Sequence, residues 1–502
     1  MTLQYLLLLI IAMPLLSFLI TPRVKLKNLR ESLNIIIAII NFCFSIFAYL
    51  KFYAGEQALI RFISINDAIY FGFYAEKISM LFAIMVNFLW IISIVYSMGY
   101  LRAHHEKKQG RFFAFFSLCI GFTLGVAFSS NLLTTFLFYE LLTLATFPLV
   151  AHNINKDTKF NVKVYLGVLI VTSLIFFLPA VLISTLYLGS SDYTLGGLFI
   201  KKESTNLYVA LGLLLLFIFG VAKAGVMPVH KWLPAAMVAP TPVSALLHAV
   251  AVVKTGVFVL IKVVVYIFGI DYLSVIIQKV SSINWLLVIP CITIIWASII
   301  ALYQDNLKKR LAYSTISQLS YIILGLLLLS NAGIISSITH IFAHAFAKIT
   351  LFFAAGSIIV LAHKENISEL SGIGRKMPIT MIAFTIAALS MIGFPLTGGF
   401  ISKWFLLRGV WESSQYWVLV VIIVSTVLNA MYFLPIVFKA FFEKYDYSPH
   451  DEIEHQEDSA VNGHHGHTLK KSNAMDIAMI ISSICIVMFY VYANNFVSIL
   501  TN

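Results

Sequence analysis

The chain has 502 residues, of which 60% are hydrophobic and only 11% are charged, and its mean hydropathy is +0.93. This composition excludes a soluble globular protein of this size and is typical of an α-helical protein with many membrane spans. The formal net charge of +12 does not indicate nucleic-acid binding, because the basic residues gather in alternate loops between apolar segments.

Apolar segments long enough to cross a membrane follow one another along the chain. The first, Leu3–Ile20, has neither a basic leader nor a small-residue cleavage site, so we expect it to be retained as a span. A span needs about 20 residues, and about fourteen such segments are present: 3–21, 32–52, 72–101, 112–129, 131–151, 162–187, 206–226, 242–268, 283–303, 310–330, 334–362, 378–404, 416–441 and 474–499. Because the connections are short, the sequence predicts an all-α polytopic membrane protein with a single membrane domain, 1–502.

The distribution of lysine and arginine predicts the orientation of the spans. Basic residues are frequent after the first span, where Arg23 and Lys25 lie, and again after the third, where Arg102 and Arg111 lie, and they recur in alternate loops. Loops rich in lysine and arginine stay in the cytoplasm. The pattern therefore predicts a protein of the cell (inner) membrane with both termini outside, and it places the polar loop 445–471 in the cytoplasm.

The run Gly220–Thr255 carries the strongest signal for a functional site. It places Lys223 at the end of an apolar helix, and Gly225 and Pro228 follow at once and should break that helix. A cation at membrane depth costs about 2.5–3.5 kcal/mol, and a broken helix is tolerated there only inside protein or beside a cavity. A lysine at such a break predicts a transport site. The alternative is a lysine that reaches the membrane surface near a helix end.

A second interruption lies five spans further on. Span twelve contains Gly393 and Pro395, and Lys403 follows. Interrupted helices in corresponding positions of two halves are typical of transporters built from inverted repeats, and an odd separation inverts the second unit. We therefore expect two inverted five-helix repeats, 112–268 and 283–441, with broken helices seven and twelve.

Glu140 is the one charged residue within span five. An isolated carboxyl group buried in a helix bundle is neutral, whereas a nearby lysine favours its charged form. Beside Lys223 the carboxyl group would ionise, and separating the two groups would release a proton. The alternative is a neutral glutamic acid that is hydrogen-bonded inside the bundle.

Span eleven carries His340, His344 and Lys348 at positions i, i+4 and i+8, which lie along one face of a helix. Histidine titrates near neutral pH, so this row is suited to a proton relay. The alternatives are a zinc pair, for which the helix offers no third ligand, and simple packing.

Span eight supplies a link between these groups. His248 and Lys254 lie between Lys223 and span eleven in chain order, whereas Lys262 is nearer the helix end and is expected to reach the membrane surface. Nothing in the sequence resembles a nucleophile–base pair or a paired-carboxylate hydrolase. The predicted proton-translocating residues are Glu140, Lys223, His248, Lys254, His340, His344, Lys348 and Lys403.

The sequence contains no motif for a cofactor, a metal site or a disulfide. Its four cysteines lie in separate apolar spans and form no CxxC pair, and no GxGxxG follows a strand. We therefore expect no cofactor and no metal, and we expect any redox chemistry to take place on another chain. The histidine cluster in loop 445–471 has two interpretations, a metal site or an ordinary solvated loop.

Four stretches of the chain form a recognisable set. They are HKWLPAAMVAPTPVSALLHA from His230, DNLKKRLAYSTISQ from Asp305, HIFAHAFAK from His340, and GFP from Gly393 followed by Lys403. Together, over residues 70–440, they resemble the antiporter-like membrane subunits shared by respiratory complex I and multisubunit Mrp cation/proton antiporters. The resemblance implies fourteen helices in two inverted repeats and an ion pair between Glu140 and Lys223. It also implies connecting residues in spans eight and eleven and an exit role for Lys403.

The chain departs from this family's pattern in two places. Asn306 stands where the family usually has aspartate before the Leu-Lys-Lys turn, and Asp305 lies one position earlier. This leaves the role of the turn open. The chain also ends soon after span fourteen, without the long lateral helix of the largest complex I member, so it is most similar to the D-type subunit of the Mrp antiporters.

These features predict a proton- or sodium-translocating subunit of a multisubunit membrane complex, most like the D-type subunit of Mrp-type monovalent cation/proton antiporters. Its partners would be other membrane subunits and not nucleic acid. A proton-pumping subunit of NADH:quinone oxidoreductase (complex I) is the alternative, and a membrane subunit of an inorganic-carbon uptake complex is a third interpretation. An integral-membrane transferase is disfavoured, because the external loops are short and poor in carboxylates.

Overall fold

The computed structural model describes residues 2–66, 69–153, 156, 158–201, 206–445 and 472–501. Its α-helices are α1 (Leu3–Ile20), α2 (Lys27–Tyr53), α3 (Lys77–Ala103), α4 (Gln109–Phe128), α5 (Leu132–Val150), α6 (Lys159–Thr172), α7 (Leu178–Leu188), α8 (Leu207–Gly220), α9 (Trp232–Ala235), α10 (Thr241–Ala245), α11 (Val252–Lys262), α12 (Ile270–Val280), α13 (Val288–Tyr303), α14 (Leu307–Leu327), α15 (Asn331–Ala362), α16 (Ile373–Lys376), α17 (Pro378–Ile392), α18 (Gly398–Glu412), α19 (Val418–Phe442), α20 (Asn473–Val491) and α21 (Ala493–Thr501). Strands β1 (Leu59–Ser64) and β2 (Tyr70–Tyr74) form an antiparallel pair.

Within the described ranges, eleven helical segments are long and apolar enough to cross a membrane. Each coincides with one of the predicted spans. The other three predicted spans are 206–226, 310–330 and 378–404, and they correspond to α8, to α14, and to α17 with α18. The polytopic helical fold is therefore confirmed, while the number fourteen and the repeat boundaries 112–268 and 283–441 stay predictions.

The hairpin of β1 and β2 corrects the predicted start of the third span. That span was expected to begin at residue 72, but Tyr70–Tyr74 is a strand and α3 begins only at Lys77. Aromatic and β-branched residues, which favour a pleated strand over a helix, make up half of β1 and four of the five residues of β2. The amide of Gly72 donates to the hydroxyl of Thr134, at 3.0 Å, and so fixes the hairpin to the start of α5.

Two spans form the centre of the helix bundle. In the segment Thr241–Phe268, which comprises α10, α11 and two π-helical turns, 94% of the apolar window is buried, and in α15 the share is 83%. The corresponding share is only 39% around α1 and 33% for α2 and α19, which lie at the periphery. The predicted histidines and lysines of spans eight and eleven are therefore enclosed by protein.

Both predicted interruptions lie at glycines with left-handed backbone angles. Helix α8 ends at Gly220, a 3-10 turn covers Ala222–Ala224, and Gly225 follows with φ of 74°. Helix α17 ends before Gly393, whose φ is 91°, and α18 starts five residues later. A side chain at φ near +80° is strained, so glycine ends the helix at low cost. Each interruption brings a lysine into the bundle, Lys223 in the first case and Lys403 in the second.

Candidate functional site

Lys223 lies in the 3-10 turn after α8 and is fully buried. Its Nζ donates to the backbone oxygen of Tyr139, at 2.7 Å, and to Oγ1 of Thr143, at 2.6 Å. The ammonium also lies 3.1 Å from the centre of the Tyr139 ring, and the Lys223 amide donates to the Tyr139 hydroxyl at 3.2 Å. Helix α5 therefore supplies the entire set of hydrogen-bond acceptors for the Lys223 ammonium in the described chain.

Glu140 follows Tyr139 on α5 and is half-buried. It is the next residue along α5 after Tyr139, whose backbone oxygen accepts from the Lys223 ammonium. The ion pairs of the described residues nevertheless do not include this pair within 4.0 Å, and Oε1 of Glu140 is buried without a hydrogen-bond partner. The structure thus places the Lys223 ammonium beside the turn of α5 that carries Glu140 but not in direct contact with the carboxylate, and their functional pairing stays a prediction.

The Lys223 turn is held in place by close contact with α11. A Cβ at Gly256 would lie 2.3 Å from the amide nitrogen of Ala224 and 2.4 Å from the carbonyl carbon of Lys223, which only glycine permits. The indole nitrogen of Trp232 donates to the backbone oxygen of Ala222 at 2.8 Å. The same carbonyl accepts the Gly225 amide at 2.9 Å, so the indole adds a second donor to the turn that follows the broken helix.

At the centre of the bundle, Nζ of Lys254 on α11 contacts Nδ1 of His344 on α15. Both side chains are buried. His248 lies in the π-helical turn Leu246–Val250, with its ring 4.9 Å from that of Phe352. Neither ring nitrogen of His248 has a hydrogen-bond partner among the described residues. An enclosed, unpartnered imidazole is a group to which a water molecule or a proton carrier can bind.

The row on α15 continues beyond His344. The rings of His340 and His344 lie 6.0 Å apart, and Nδ1 of His340 is 2.8 Å from Oγ of Ser402 on α18. One helical turn away on the other side, Nζ of Lys348 donates to the backbone oxygen of Leu311 at 3.1 Å. The structure therefore brings His340, His344 and Lys348 onto one buried face, as their spacing predicts.

Lys403 on α18 is held in the same manner as Lys223. Its Nζ donates to the backbone oxygen of Ile392, at 2.7 Å, and to Oγ1 of Thr426, at 3.2 Å. It also lies 5.2 Å from the centre of the Tyr321 ring. Each of the two lysines thus has one backbone carbonyl, one threonine hydroxyl and one tyrosine ring around its ammonium.

Sequence reasoning missed the groups that hold these lysines. Tyr139 and Thr143 are four residues apart on α5, so helical periodicity was the available signal that they lie on one face. Ser402, which contacts His340, is only adjacent to Lys403 in the sequence. Thr426 lies on another helix, α19, and the sequence contains no signal for its contact.

The expectation that Lys262 reaches the membrane surface is wrong. Lys262 is 1% exposed, and its Nζ lies 3.2 Å from Oε2 of Glu76, which is 7% exposed. The same ammonium donates to the backbone oxygen of Ser129 at 2.7 Å. A charged pair buried inside the protein, rather than a free lysine at a helix end, therefore occupies this position.

The remaining residues of the sequence motifs lie in turns and helix caps. Pro228 and Pro395 lie in the turns that follow the two interruptions. The side chain of Asn306 accepts the Lys309 amide at 3.1 Å and caps α14, while Asp305 binds the amide and hydroxyl of Ser368 at 3.0 and 2.7 Å. The turn with the unusual asparagine thus anchors a loop.

The donor set is suited to proton transfer. The described ranges contain no group of three histidine, cysteine, aspartate or glutamate side chains arranged around a common point. The histidines of the polar loop lie at 446–471, outside the described residues. The buried groups are lysines, imidazoles and hydroxyls, which exchange protons without a bound cofactor.

Comparison with known proteins identifies the family. The family described as "NADH:quinone oxidoreductase/Mrp antiporter, TM" matches residues 129–429. Subunit N of the NADH-quinone oxidoreductase of Desulforudis audaxviator is 30% identical over 361 residues, which are 72% of this chain and 70% of that protein. Subunit L of the Rickettsia felis enzyme is 30% identical over 389 residues, 76% of this chain and 57% of that protein. The chain spans about half the length of the chloroplast NAD(P)H-quinone oxidoreductase subunit 5 of Lotus japonicus, to which it is 29% identical over 402 residues, 76% of this chain and 51% of that protein.

Two solved structures share the fold. A chain of the archaeal membrane-bound sulfane sulfur reductase superimposes with a TM-score of 0.83 at 22% identity, over 99% of this chain and 96% of that one. A chain of the Mrp complex of a Dietzia species superimposes with a TM-score of 0.81 at 19% identity, over the same shares of 99% and 96%. With the family match over more than half of its length, this chain belongs to the NADH:quinone oxidoreductase/Mrp antiporter family of membrane subunits.

Proposed function

We propose that this chain moves protons within the membrane along a file of buried lysine and histidine side chains. The observation that carries the proposal concerns Lys223, Lys254, Lys348 and Lys403. All four are buried, and none has a carboxylate within 4.0 Å in the part of the chain that the structure describes. An unpaired cation at membrane depth is costly and is retained where it serves transport.

The contacts of these lysines support a proton-transfer role rather than a structural one. Their partners are carbonyl oxygens, threonine hydroxyls and an imidazole, all of which are neutral acceptors. A lysine held by neutral groups can lose its proton without leaving an unpaired carboxylate behind. Histidine can accept a proton at one ring nitrogen and release it from the other, so His248, His340 and His344 complete the path between the two halves.

In this mechanism Glu140 controls the first lysine. When the carboxylate is near Lys223, it stabilises the ammonium. When the two separate, the proton is free to move toward span eight. Lys403 ends the file in the second half, and its matching surroundings support the two inverted repeats 112–268 and 283–441.

We further propose that the chain is the D-type subunit of an Mrp antiporter and couples proton movement to a monovalent cation such as sodium. The resemblance over residues 70–440 and the fold shared with the Dietzia Mrp chain support this assignment. A proton-pumping subunit of a complex I-type enzyme is the second candidate, because the curated relatives at about 30% identity carry NADH-quinone oxidoreductase names. In either assembly the partners are other membrane subunits, and redox chemistry takes place on another chain.

The proposed location is the cell (inner) membrane, with both termini outside. The support is the excess of lysine and arginine in alternate loops. The same orientation places the N-terminal ends of α3 and α5 on the outer side and the loop between α3 and α4 in the cytoplasm.

The test is proton flux through the native complex, purified with all its subunits and reconstituted into vesicles that contain a pH-sensitive dye. An imposed sodium gradient drives the antiport arm of the assay, and the electron donor of the complex drives the pump arm. Lys223→Ala and the volume-matched Lys223→Met should abolish flux in the active arm, while Lys279→Ala, at an exposed lysine on α12, should leave it unchanged. Full flux in an assembled Lys223→Ala complex would falsify the proposed function.

A further inference from the structure

The buried ion pair of Glu76 and Lys262 lies on the side of the bundle that is predicted to face outward. Glu76 directly precedes α3, Lys262 ends α11, and Ser129 lies between α4 and α5. The Lys262 ammonium contacts Glu76, donates to the Ser129 carbonyl and lies 4.1 Å from the centre of the Tyr193 ring. Oγ of Ser79 donates to the same carboxylate oxygen of Glu76 at 3.3 Å.

A row of hydroxyl groups leads from this pair toward Lys223. The Tyr193 hydroxyl is 2.8 Å from Oγ1 of Thr135, near the start of α5. Thr135, Tyr139 and Thr143 are spaced at i, i+4 and i+8 and are all fully buried. They therefore share one face of α5 over about 12 Å, and the last of them binds the Lys223 ammonium.

Neighbouring side chains on this face lie one helical turn apart, with Cβ atoms about 5–6 Å from each other. The Tyr139 hydroxyl lies at the far end of its ring, where it accepts the Lys223 amide at 3.2 Å, so the proposed row depends on water molecules that bridge its members. Buried threonines on α5 are not confined to this face, since Thr134 and Thr146 are buried as well. Thr135 and Thr143 are distinguished by their partners, because Thr135 contacts the Tyr193 hydroxyl and Thr143 accepts from the Lys223 ammonium.

We infer that Glu76 and Lys262 form a second proton-transfer site, joined to Lys223 by the hydroxyl face of α5, and that this site connects the first half to the outer side. In the transfer step the Lys262 ammonium gives one proton to the Glu76 carboxylate, and both groups become neutral. Glu76 then releases this proton toward the outer side and becomes a carboxylate again. The neutral Lys262 takes a proton from the hydroxyl row, each member of which accepts one proton and passes one on, so that the Lys223 ammonium at the other end of the row supplies the net proton. The inference rests on the proposed function, because it assigns a branch to the same proton path.

The competing explanation is a structural clamp that fixes the start of α3 to α11. The two explanations differ in the effect of removing hydroxyl groups that do not touch either charge. Tyr193→Phe keeps the ring beneath Lys262, and Thr135→Val keeps the shape of the side chain. A clamp is indifferent to both changes, whereas a proton path is interrupted by either.

The experiment measures proton flux in the reconstituted native complex carrying Tyr193→Phe or Thr135→Val. Tyr165→Phe and Thr123→Val are the matched controls, because these hydroxyls are also buried and bond to Thr146 and to the Cys119 carbonyl. We expect each of the two test variants to lower the flux about ten-fold or more, as loss of a positioned proton-transfer group does, with the controls at the wild-type rate. Flux in both test variants equal to that of their controls would overturn the inference.

A charge-removing pair of variants separates transfer from assembly. Lys262→Met alone leaves the buried Glu76 carboxylate without its cationic partner and can prevent folding, whereas the combination Glu76→Gln with Lys262→Met removes both charges and should assemble. The combined variant is expected to form a stable complex with low flux. Restoration of wild-type flux in it would identify the pair as a clamp and end the proposal.

The same flux assay distinguishes failure of this inference from failure of the proposed function. If Lys223→Ala conducts normally, the proposed function itself fails. If Lys223→Ala is inactive but Tyr193→Phe and Thr135→Val conduct normally, only the outer branch fails.

Discussion

The ammonium of Lys254 on α11 contacts Nδ1 of His344 on α15, and both side chains are buried between the two most enclosed spans of the bundle. When Lys254 is charged, its ammonium donates to Nδ1 of His344, and the histidine is then the tautomer whose Nε2 carries the proton. Nε2 of His344 has no hydrogen-bond partner among the described residues. In that protonation state the pair presents a free N–H group inside the bundle.

This contact predicts that the two residues act as one unit. Lys254→Met and His344→Gln should each lower proton flux by about 10²-fold, the lower end of the range for a positioned proton-transfer group. The double variant should be no slower than the slower single variant, because the effects of residues that act as a unit are not additive. Flux is measured in the reconstituted complex, with Lys279→Met as the control for loss of an exposed lysine. Single effects that multiply in the double variant would show two independent roles.

Much of the fold was predictable because membrane spans have a strong and regular signal. About twenty apolar residues in a row identify a span with little ambiguity, and every predicted span coincides with a helix or a pair of helices. The hairpin before α3 was missed, because Tyr70–Tyr74 is apolar and joins the span in a hydropathy pattern. Only its pairing with Leu59–Ser64, which is a tertiary contact, separates it from the helix.

The site was predictable to the extent that its residues share one helix. The row His340, His344 and Lys348 follows from helical spacing alone. Contacts between helices did not follow, so the sequence paired Glu140 with Lys223, while in the structure Tyr139 and Thr143 contact the ammonium. Lys262 was misjudged for the same reason, because its partner Glu76 lies 186 positions earlier in the chain.

A substitution at Gly256 should displace Lys223 without changing a titratable group. A methyl group at this position would overlap the backbone at Ala224 and Lys223. Gly256→Ala should therefore displace the turn, lower the stability by about 1–3 kcal/mol and reduce proton flux. The control is Gly212→Ala in α8, where nothing lies within 4 Å of an added Cβ. Thermal stability and flux of the purified complex are the measurements, and equal behaviour of the two variants would contradict the close approach of α11.

Replacement of Ser402 should disturb the orientation of His340 at one end of the histidine row. Ser402→Ala leaves Nδ1 of His340 without its partner at 2.8 Å, and an unsatisfied buried polar group costs about 1–3 kcal/mol. We expect lower flux, because the His340 ring loses the contact that orients it toward His344. Ser413→Ala, whose hydroxyl donates to the Val410 carbonyl of its own helix end, is the control. A Ser402→Ala complex with normal flux would show that His340 needs no orienting partner.

Removal of the Trp232 indole N–H tests whether its hydrogen bond holds the turn that follows α8. Trp232→Phe removes one of the two donors to the Ala222 carbonyl, at 2.8 Å, and leaves the Gly225 amide at 2.9 Å as the other. The loss of this hydrogen bond should destabilise the complex by about 0.5–1.5 kcal/mol, and it should slow proton flux because Ala222 directly precedes Lys223. The control is Trp404→Phe, at a tryptophan that is half-exposed on α18. The fraction of intact complex that survives heating, measured by size-exclusion chromatography, and the initial flux are compared for the two variants. If Trp232→Phe loses stability but keeps its flux, the bond supports the fold without positioning Lys223, and if both quantities fall together, the bond helps to hold the turn that carries Lys223.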